Sequence, residues 1–429
     1  MAEEAPDDTS LWAWTGVPKP RFFGANRVEL LQGGDELFPR MCDAIAAAQR
    51  EVWLATYIFH DDSASRGVAD ALVAAAARGV AVHVVVDGFG SMATLPTVRS
   101  WFVAAGVRLE VFRSLDRWWA WLQPGQLRRL HQKLCVVDES TAYVGGINII
   151  DDRNDMNHGW GDAPRLDFAV ELRGPLAAQV HAATRAMWAR AHIGHGWRDE
   201  MRLLARSETP VEQGLKLLRS LRTREARATR QPAAAASQPV RAAFVVRDNF
   251  RQRRAIERSY IDAIRSARRR VDIAVPYFYP GHGFRRALRR AARRGVAVRL
   301  LLQGKIDYRI AAMAARAMYD ELRLHGVRIF EYTPAFLHAK VAVVDDDWST
   351  VGSSNIDPLS LLLNLEANVV VRDAGFAAAL TARLDAAIAL STEVGLDAPR
   401  RGWRSWLHRG VVAWCANIYL RLAGITGRY

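Results

Sequence analysis

"LHQKLCVVDESTAYVGGIN" occupies Leu130–Asn148, and "LHAKVAVVDDDWSTVGSSN" occupies Leu337–Asn355. His131 and His338, Lys133 and Lys340, Asp138 and Asp345, Gly145 and Gly352, and Asn148 and Asn355 are each 207 residues apart. One copy alone reads as a buried strand carrying incidental polar residues. Two copies with the same five-position spacing point to one site built twice.

The spacing has a geometric reason. Residues i and i+2 of a strand face the same side, so the histidine and lysine of each copy project together. "LCVV" and "VAVV" then bury the strand. The Gly-Gly and Gly-Ser pairs let backbone pass close to a ligand. Asn148 and Asn355 can each donate an amide to an oxyanion. Two lobes meeting about a pseudo-twofold axis would gather two histidines, two lysines and two asparagines at one seam. Such a set suits a phosphodiester: one histidine attacks phosphorus, the other carries a proton, and the lysines stabilise the equatorial oxygens. No acidic cluster with metal-ligand spacing accompanies the motifs, so neither a metal nor another cofactor is expected.

Working outward, the repeat extends beyond the motif. "RGVAV" stands at Arg78–Val82 and again at Arg294–Val298, and "VWLATYIF" (Val52–Phe59) echoes "VDIAVPYF" (Val271–Phe278). "GVR" followed by an apolar residue occurs at Gly106 and at Gly326. Each half therefore reads strand, helix, strand, helix, strand. Val52–Phe59 is a buried strand, the Ala-rich stretch from Val68 is a helix ending at Arg78–Gly79, and Val80–Val86 is a β-branched strand. This alternation predicts an α/β fold of two pseudo-symmetric α/β/α lobes, each a mixed sheet flanked by helices, with the site at their interface. The lobes are placed at 26–200 and 241–398. A basic linker rich in Ala, Arg, Gln and Pro lies between them at 201–240, and a basic tail covers 399–429.

Bulk properties agree. At 429 residues the chain is long for one core. A net charge of +14 favours anionic partners, nucleic acid or acidic lipid. Three scattered cysteines exclude a disulfide framework and favour a reducing compartment. The acidic start "MAEEAPDD" lacks the apolar core of a signal peptide, and Val411–Leu420 is about half of a bilayer span.

The duplicated HxKxxxxDxxxxxxG(G/S)xN pattern resembles the phospholipase D superfamily. "TYIFHDD" (Thr56–Asp62), "DGFGS" (Asp87–Ser91), "VPYFYPG" (Val275–Gly281) and "GSSNIDPLSLLLNLEANVVV" (Gly352–Val371) extend that likeness to bacterial cardiolipin synthases of the type without N-terminal membrane spans. The resemblance covers nearly the whole chain after about residue 26. It implies phosphatidyl transfer from one phosphatidylglycerol to another, with glycerol released through a phosphohistidine. Hydrolytic phospholipase D and a metal-independent nuclease of the same superfamily are the alternatives. His131 is the nucleophile and His338 the acid/base by the family's pattern, although the residues themselves do not distinguish the two roles. The family places an acid downstream of each motif to orient its histidine. Glu366 fits that place after His338, and Asp167 is the candidate after His131. Asp138 and Asp345 are counted with His131, Lys133, His338 and Lys340 in the catalytic set, where they are expected to brace strand and loop more than to touch phosphate. The implied partners are an anionic phospholipid and a membrane surface, with no nucleic acid, and the implied location is peripheral, on the cytoplasmic face of the inner membrane.

Two further segments point to lipid. An insert before His131, "RSLDRWWAWLQPGQLRRL", places Trp118, Trp119 and Trp121 among arginines; it either meets a membrane interface or roofs the pocket. In the tail, Trp403, Leu407, Trp414, Ile418 and Ile425 share one helical face, interrupted by Arg421, which favours interfacial lipid binding over docking on the body.

Overall fold

The computed structural model describes residues 19–114, 128–156, 158–206, 239–247, 252, 254–305, 318–357 and 364–395. The Trp-rich insert from 115 to 127, most of the linker and the tail lie outside the described residues.

Lobe one runs β1 (Phe23–Gln32), α1 (Gly33–Ala46), β2 (Glu51–Thr56), α2 (Ser63–Ala77), β3 (Ala81–Asp87), α3 (Leu95–Val103) and β4 (Arg108–Phe112). It continues through β5 (Lys133–Val137), β6 (Thr141–Gly145), the short β7 (Asn154–Asp155) and β8 (Gly159–Trp160), β9 (Phe168–Arg173) and α4 (Pro175–Arg206). Lobe two runs β10 (Val240–Arg247), α5 (Ala255–Ser266), β11 (Arg270–Val275), α6 (His282–Arg293), β12 (Ala297–Gln303), α7 (Tyr319–Arg323) and β13 (Arg328–Tyr332). It ends with β14 (Val341–Val344), β15 (Trp348–Gly352), β16 (Glu366–Arg372), α8 (Ala374–Ala389) and β17 (Thr392–Glu393). Helix α4 carries lobe one to Arg206, past the boundary expected at 200.

Local chemistry explains these elements. Asp62 caps α2 by accepting the Ser65 N–H, and Gly79 leaves the helix at φ +89°, a conformation that glycine adopts without strain. Every residue of β5 and of β14 is buried, as their continuous apolar runs require.

The two lobes are the same sheet built twice. Strand order within lobe one is β1-β9-β6-β5-β2-β3-β4, and within lobe two β10-β16-β15-β14-β11-β12-β13. Parallel pairing is confined to β2-β3-β4 and β11-β12-β13; the remaining neighbours are antiparallel. The sequence predicts a mixed sheet in each lobe, and each lobe has one. β1 also pairs with β10, Phe23 opposite Ala242 and Asn26 opposite Val240, and joins the two into one 15-stranded sheet among the described residues. A single apolar cluster spans both halves, taking Phe168, Val180 and Met187 from lobe one and Val341, Val369 and Leu380 from lobe two. That shared core fixes the lobes against each other, so the seam between them is a rigid place to build a site.

Candidate active site

Each histidine sits just before a buried strand, where an isolated bridge holds it to the opposite lobe. Leu130 pairs with Leu365, the His131 N–H donates to the Leu365 carbonyl at 3.0 Å, and the Leu365 N–H donates to the Arg129 carbonyl at 2.9 Å. The second copy repeats this: Leu337 pairs with Leu166, the His338 N–H donates to the Leu166 carbonyl at 2.9 Å, and the Leu166 N–H donates to the Phe336 carbonyl at 2.9 Å. Glu366 and Asp167 follow those bridging leucines, so each acid is delivered to the other lobe's histidine.

The acids are therefore crossed. His131 Nδ1 lies 3.0 Å from Glu366 Oε2, and His338 Nδ1 lies 2.6 Å from Asp167 Oδ2. The sequence assigns each acid to its own lobe's histidine; the interlobe bridges bring each to the other lobe's histidine instead. With Nδ1 facing a carboxylate, Nε2 of each ring is left to meet a substrate.

The lysines complete the set. Lys133 Nζ donates to the His131 carbonyl at 2.7 Å, and Lys340 Nζ donates to the His338 carbonyl. Lys340 Nζ also lies 2.8 Å from His338 Nδ1 and 3.9 Å from Asp167. The Tyr57 ring packs 5.0 Å from that of His131, and Lys133 lies over it at 5.4 Å.

Burial dominates the electrostatics. It pulls Lys133 down to about 7, with the Lys340 charge adding to the effect, and pulls Lys340 down to about 8 against the attraction of Asp167 and Glu366. His131 is lowered by burial, which Glu366 opposes and Lys133 reinforces. His338 is held well below the ordinary imidazole range by burial and by the cations Lys340, Arg165 and Lys133. Burial raises Asp167 to about 6 despite Lys340. Burial also pushes Glu366 upward, but His131, Lys133 and Ser353 more than offset it and leave this carboxyl below its ordinary value. The crossed contacts bring both motifs to the seam, where Lys340 weighs on His131 and Lys133 on His338.

Asp138 and Asp345 stand at the far ends of their strands, both in the left-handed region at φ 51° and 52°. Asp138 accepts the backbone N–H groups of Gln49, Arg50 and Glu51, and Asp345 those of Arg268, Arg269 and Arg270. Both brace the turn and lie away from the reacting centre.

The small residues have a different task from the one the sequence suggests. A Cβ on Gly146 would collide with the Asp167 carboxylate, so glycine there makes room for the acid rather than for a ligand. In lobe two the matching Ser353 donates its hydroxyl to Glu366 Oε2 at 2.5 Å. Asn148 Oδ1 accepts from the Ile58 N–H at 3.3 Å, and the buried Asn355 Oδ1 has no hydrogen-bond partner among the described residues.

Sequence reasoning missed one pair of supports. Asp87 Oδ2 accepts the Leu130 N–H at 2.8 Å, and Gln303 Oε1 accepts the Leu337 N–H at 2.9 Å. They end the equivalent strands β3 and β12. The signal lay in "DGFGS", whose Asp87 also accepts the Phe89 and Gly90 N–H groups.

A family profile described as "Cardiolipin synthase, PLD-like domain" matches residues 41–160 and 260–388, one block in each lobe. The chain belongs to this family of the phospholipase D superfamily. Cardiolipin synthase B of Escherichia coli is 35% identical over 390 residues, covering 88% of this chain and 84% of that protein. Cardiolipin synthase B of Salmonella typhimurium is 37% identical over 351 residues, covering 82% and 78%. The crystal structure of phosphatidylserine synthase from Haemophilus influenzae superposes with a TM-score of 0.65 over 96% of this chain and 98% of that one; at 12% identity it supports the fold. Among the described residues, no helix of this family member is long and apolar enough to cross a membrane.

Proposed function

We propose that the chain is a phosphatidyltransferase that joins two phosphatidylglycerol molecules into cardiolipin and releases glycerol. The observation that carries this reading is the crossed pairing of two histidine–carboxylate sets, each with its lysine, around one centre. The names of the relatives that share its length, Cardiolipin synthase B, point the same way.

His131 is the nucleophile in this reading. Glu366, below its ordinary pKa and so ionised, accepts the Nδ1–H of the neutral ring, which leaves the Nε2 lone pair for phosphorus and stabilises the charge the ring gains. The N–P bond forms, the P–O bond to glycerol breaks, and His338 gives its Nε2 proton to the departing oxygen. The hydroxyl of the second phosphatidylglycerol then attacks phosphorus, the N–P bond breaks, and the proton returns to His338. Burial and the neighbouring cations keep His338 neutral in the free protein; an anionic phosphodiester offsets the cations and raises its proton affinity. The same anion holds Lys133 and Lys340 in their charged forms, where they stabilise the equatorial oxygens; Asn148 and Asn355 add amides.

The net charge of +14 draws the chain to anionic lipid, so it works at a membrane surface; the sparse cysteines favour the cytoplasmic face. Mass spectrometry of the products from labelled phosphatidylglycerol vesicles tests the proposal. Cardiolipin and glycerol are expected, and neither from the His131→Ala protein. Phosphatidic acid without cardiolipin, or DNA cleavage without lipid turnover, overturns it.

A further inference from the structure

The two halves differ most between the asparagine and the acid. Glu366 follows Asn355 by 11 residues, but Asp167 follows Asn148 by 19. The longer segment of lobe one folds into the β7–β8 hairpin, Asn154 opposite Trp160 and Asp155 opposite Gly159. This hairpin lies over lobe two, where the His158 ring is 5.0 Å from that of Phe336. A pocket lies between them, lined by His158, Trp160 and Arg165 from lobe one and by Lys305 and Phe336 from lobe two.

Four observations give this pocket a purpose. It adjoins the His338 half of the centre: Phe336 and Arg165 flank the bridge in which the Leu166 N–H donates to the Phe336 carbonyl and the His338 N–H to the Leu166 carbonyl. It holds cations, Arg153, Arg165 and Lys305, that can meet a phosphodiester. Arg165 donates to the Asp151 and Asn154 carbonyls and Lys305 to the Pro334 carbonyl, all neutral acceptors. Three acids share the lining: Asp155, which lies 2.9 Å from His158, Asp152, which burial lifts to about 7, and the exposed Asp162. Finally, its rim is apolar and open: Trp160 is 64% and Met156 44% exposed on the same hairpin, as suits a membrane interface.

We propose that this pocket seats the acceptor, the headgroup of an incoming anionic glycerophospholipid, with Lys305 and Arg165 on its phosphodiester and Trp160 at its lipid edge. The inference rests on the transferase reading above and deepens it. The donor phosphodiester occupies the centre between the histidines. The acceptor enters from the hairpin side, so its free hydroxyl reaches phosphorus past His338, which takes the proton. The extra length of lobe one thereby gives a pseudo-symmetric centre a direction.

Phosphatidylglycerol vesicles supplied with ethanol test this, because ethanol competes for the same phosphatidyl group but carries no phosphodiester. The full chain partitions that group among cardiolipin, phosphatidylethanol and phosphatidic acid. Lys305→Glu should lower the cardiolipin-to-phosphatidylethanol ratio about tenfold, the scale of one charge-assisted contact, while Lys305→Arg keeps it. Trp160→Ala should lower it less. Lys305 is exposed, so thermal unfolding should match the parent and exclude misfolding as the cause. An unchanged ratio in both Lys305→Glu and Trp160→Ala overturns the pocket assignment, including when all products fall in parallel. A parent protein that yields phosphatidylethanol and phosphatidic acid but no cardiolipin overturns the transferase reading instead.

Discussion

The two halves of the centre share a backbone and differ in charge. Around His131 stand Glu366, the Ser353 hydroxyl and, behind Leu130, the carboxylate Asp87. Around His338 stand Asp167, the bare Gly146 and, behind Leu337, the neutral Gln303. Glu366 is held below its ordinary pKa, whereas Asp167 is raised to about 6. Duplication thus fixes where the groups stand, and a few substitutions in the supporting residues set what each histidine can do. A symmetric frame with asymmetric charge suits a reaction whose two histidines have different tasks.

The sharpest way to break this comparison is to remove one histidine at a time. His131→Ala and His338→Ala should each lower transfer by about a thousandfold or more. With a phosphodiester whose leaving group needs no proton, His338→Ala should still accumulate a phosphohistidine, detected as alkali-stable label on the protein, and His131→Ala should not. The opposite pattern exchanges the roles.

The crossed acids come next. Glu366→Gln and Asp167→Asn should each lower kcat by about a hundredfold or more, because the histidine loses its tautomer control. Covalent labelling reads which half each variant damages: Glu366→Gln should slow formation of the adduct, although Glu366 lies in the other lobe's sequence, and Asp167→Asn should slow its discharge. Damage that follows sequence instead of the crossed contacts would sink the arrangement.

The buried lysines predict a pH effect of intermediate size. An ordinary lysine titrates at 10.5, but Lys133 is pulled to about 7 and Lys340 to about 8. The charged form is the one that stabilises the phosphoryl oxygens and is lost as pH rises, so kcat/KM should fall as pH climbs through about 7 to 8. The limb for kcat should lie at higher pH, since bound phosphodiester favours the charged lysines. Unfolded lysines keep their protons up to about 10.5, so folding stability should rise from about pH 7 to about 10.5. A single alkaline limb near 10 would contradict the burial of both lysines.

The smallest effect on chemistry belongs to the braces. Asp138→Ala and Asp345→Ala each strand three backbone N–H groups and should cost about 1–3 kcal/mol, seen as a lower Tm. The fraction that remains folded should keep kcat within a few-fold of the parent. A thousandfold loss of kcat without loss of stability would place these residues at the phosphate.

Much of this was legible in the residues themselves. The apolar runs of β5 and β14, the Asp62 cap and the Gly79 exit of α2, and the 207-residue spacing of His131 and His338 depend on local chemistry, and local chemistry is written in the chain. Those features gave the α/β repeat and the candidate histidines and lysines, while the candidate acids came from the family resemblance. Only the tertiary structure decided which acid serves which histidine, that β1 and β10 join two sheets into one, and that Gly146 and Ser353 serve the acids. Each of these depends on groups that meet through space across the seam between lobes. Spacing along the chain fixes which face of a strand a side chain occupies, but the partner on the far side of the seam is chosen by the packing of the shared core.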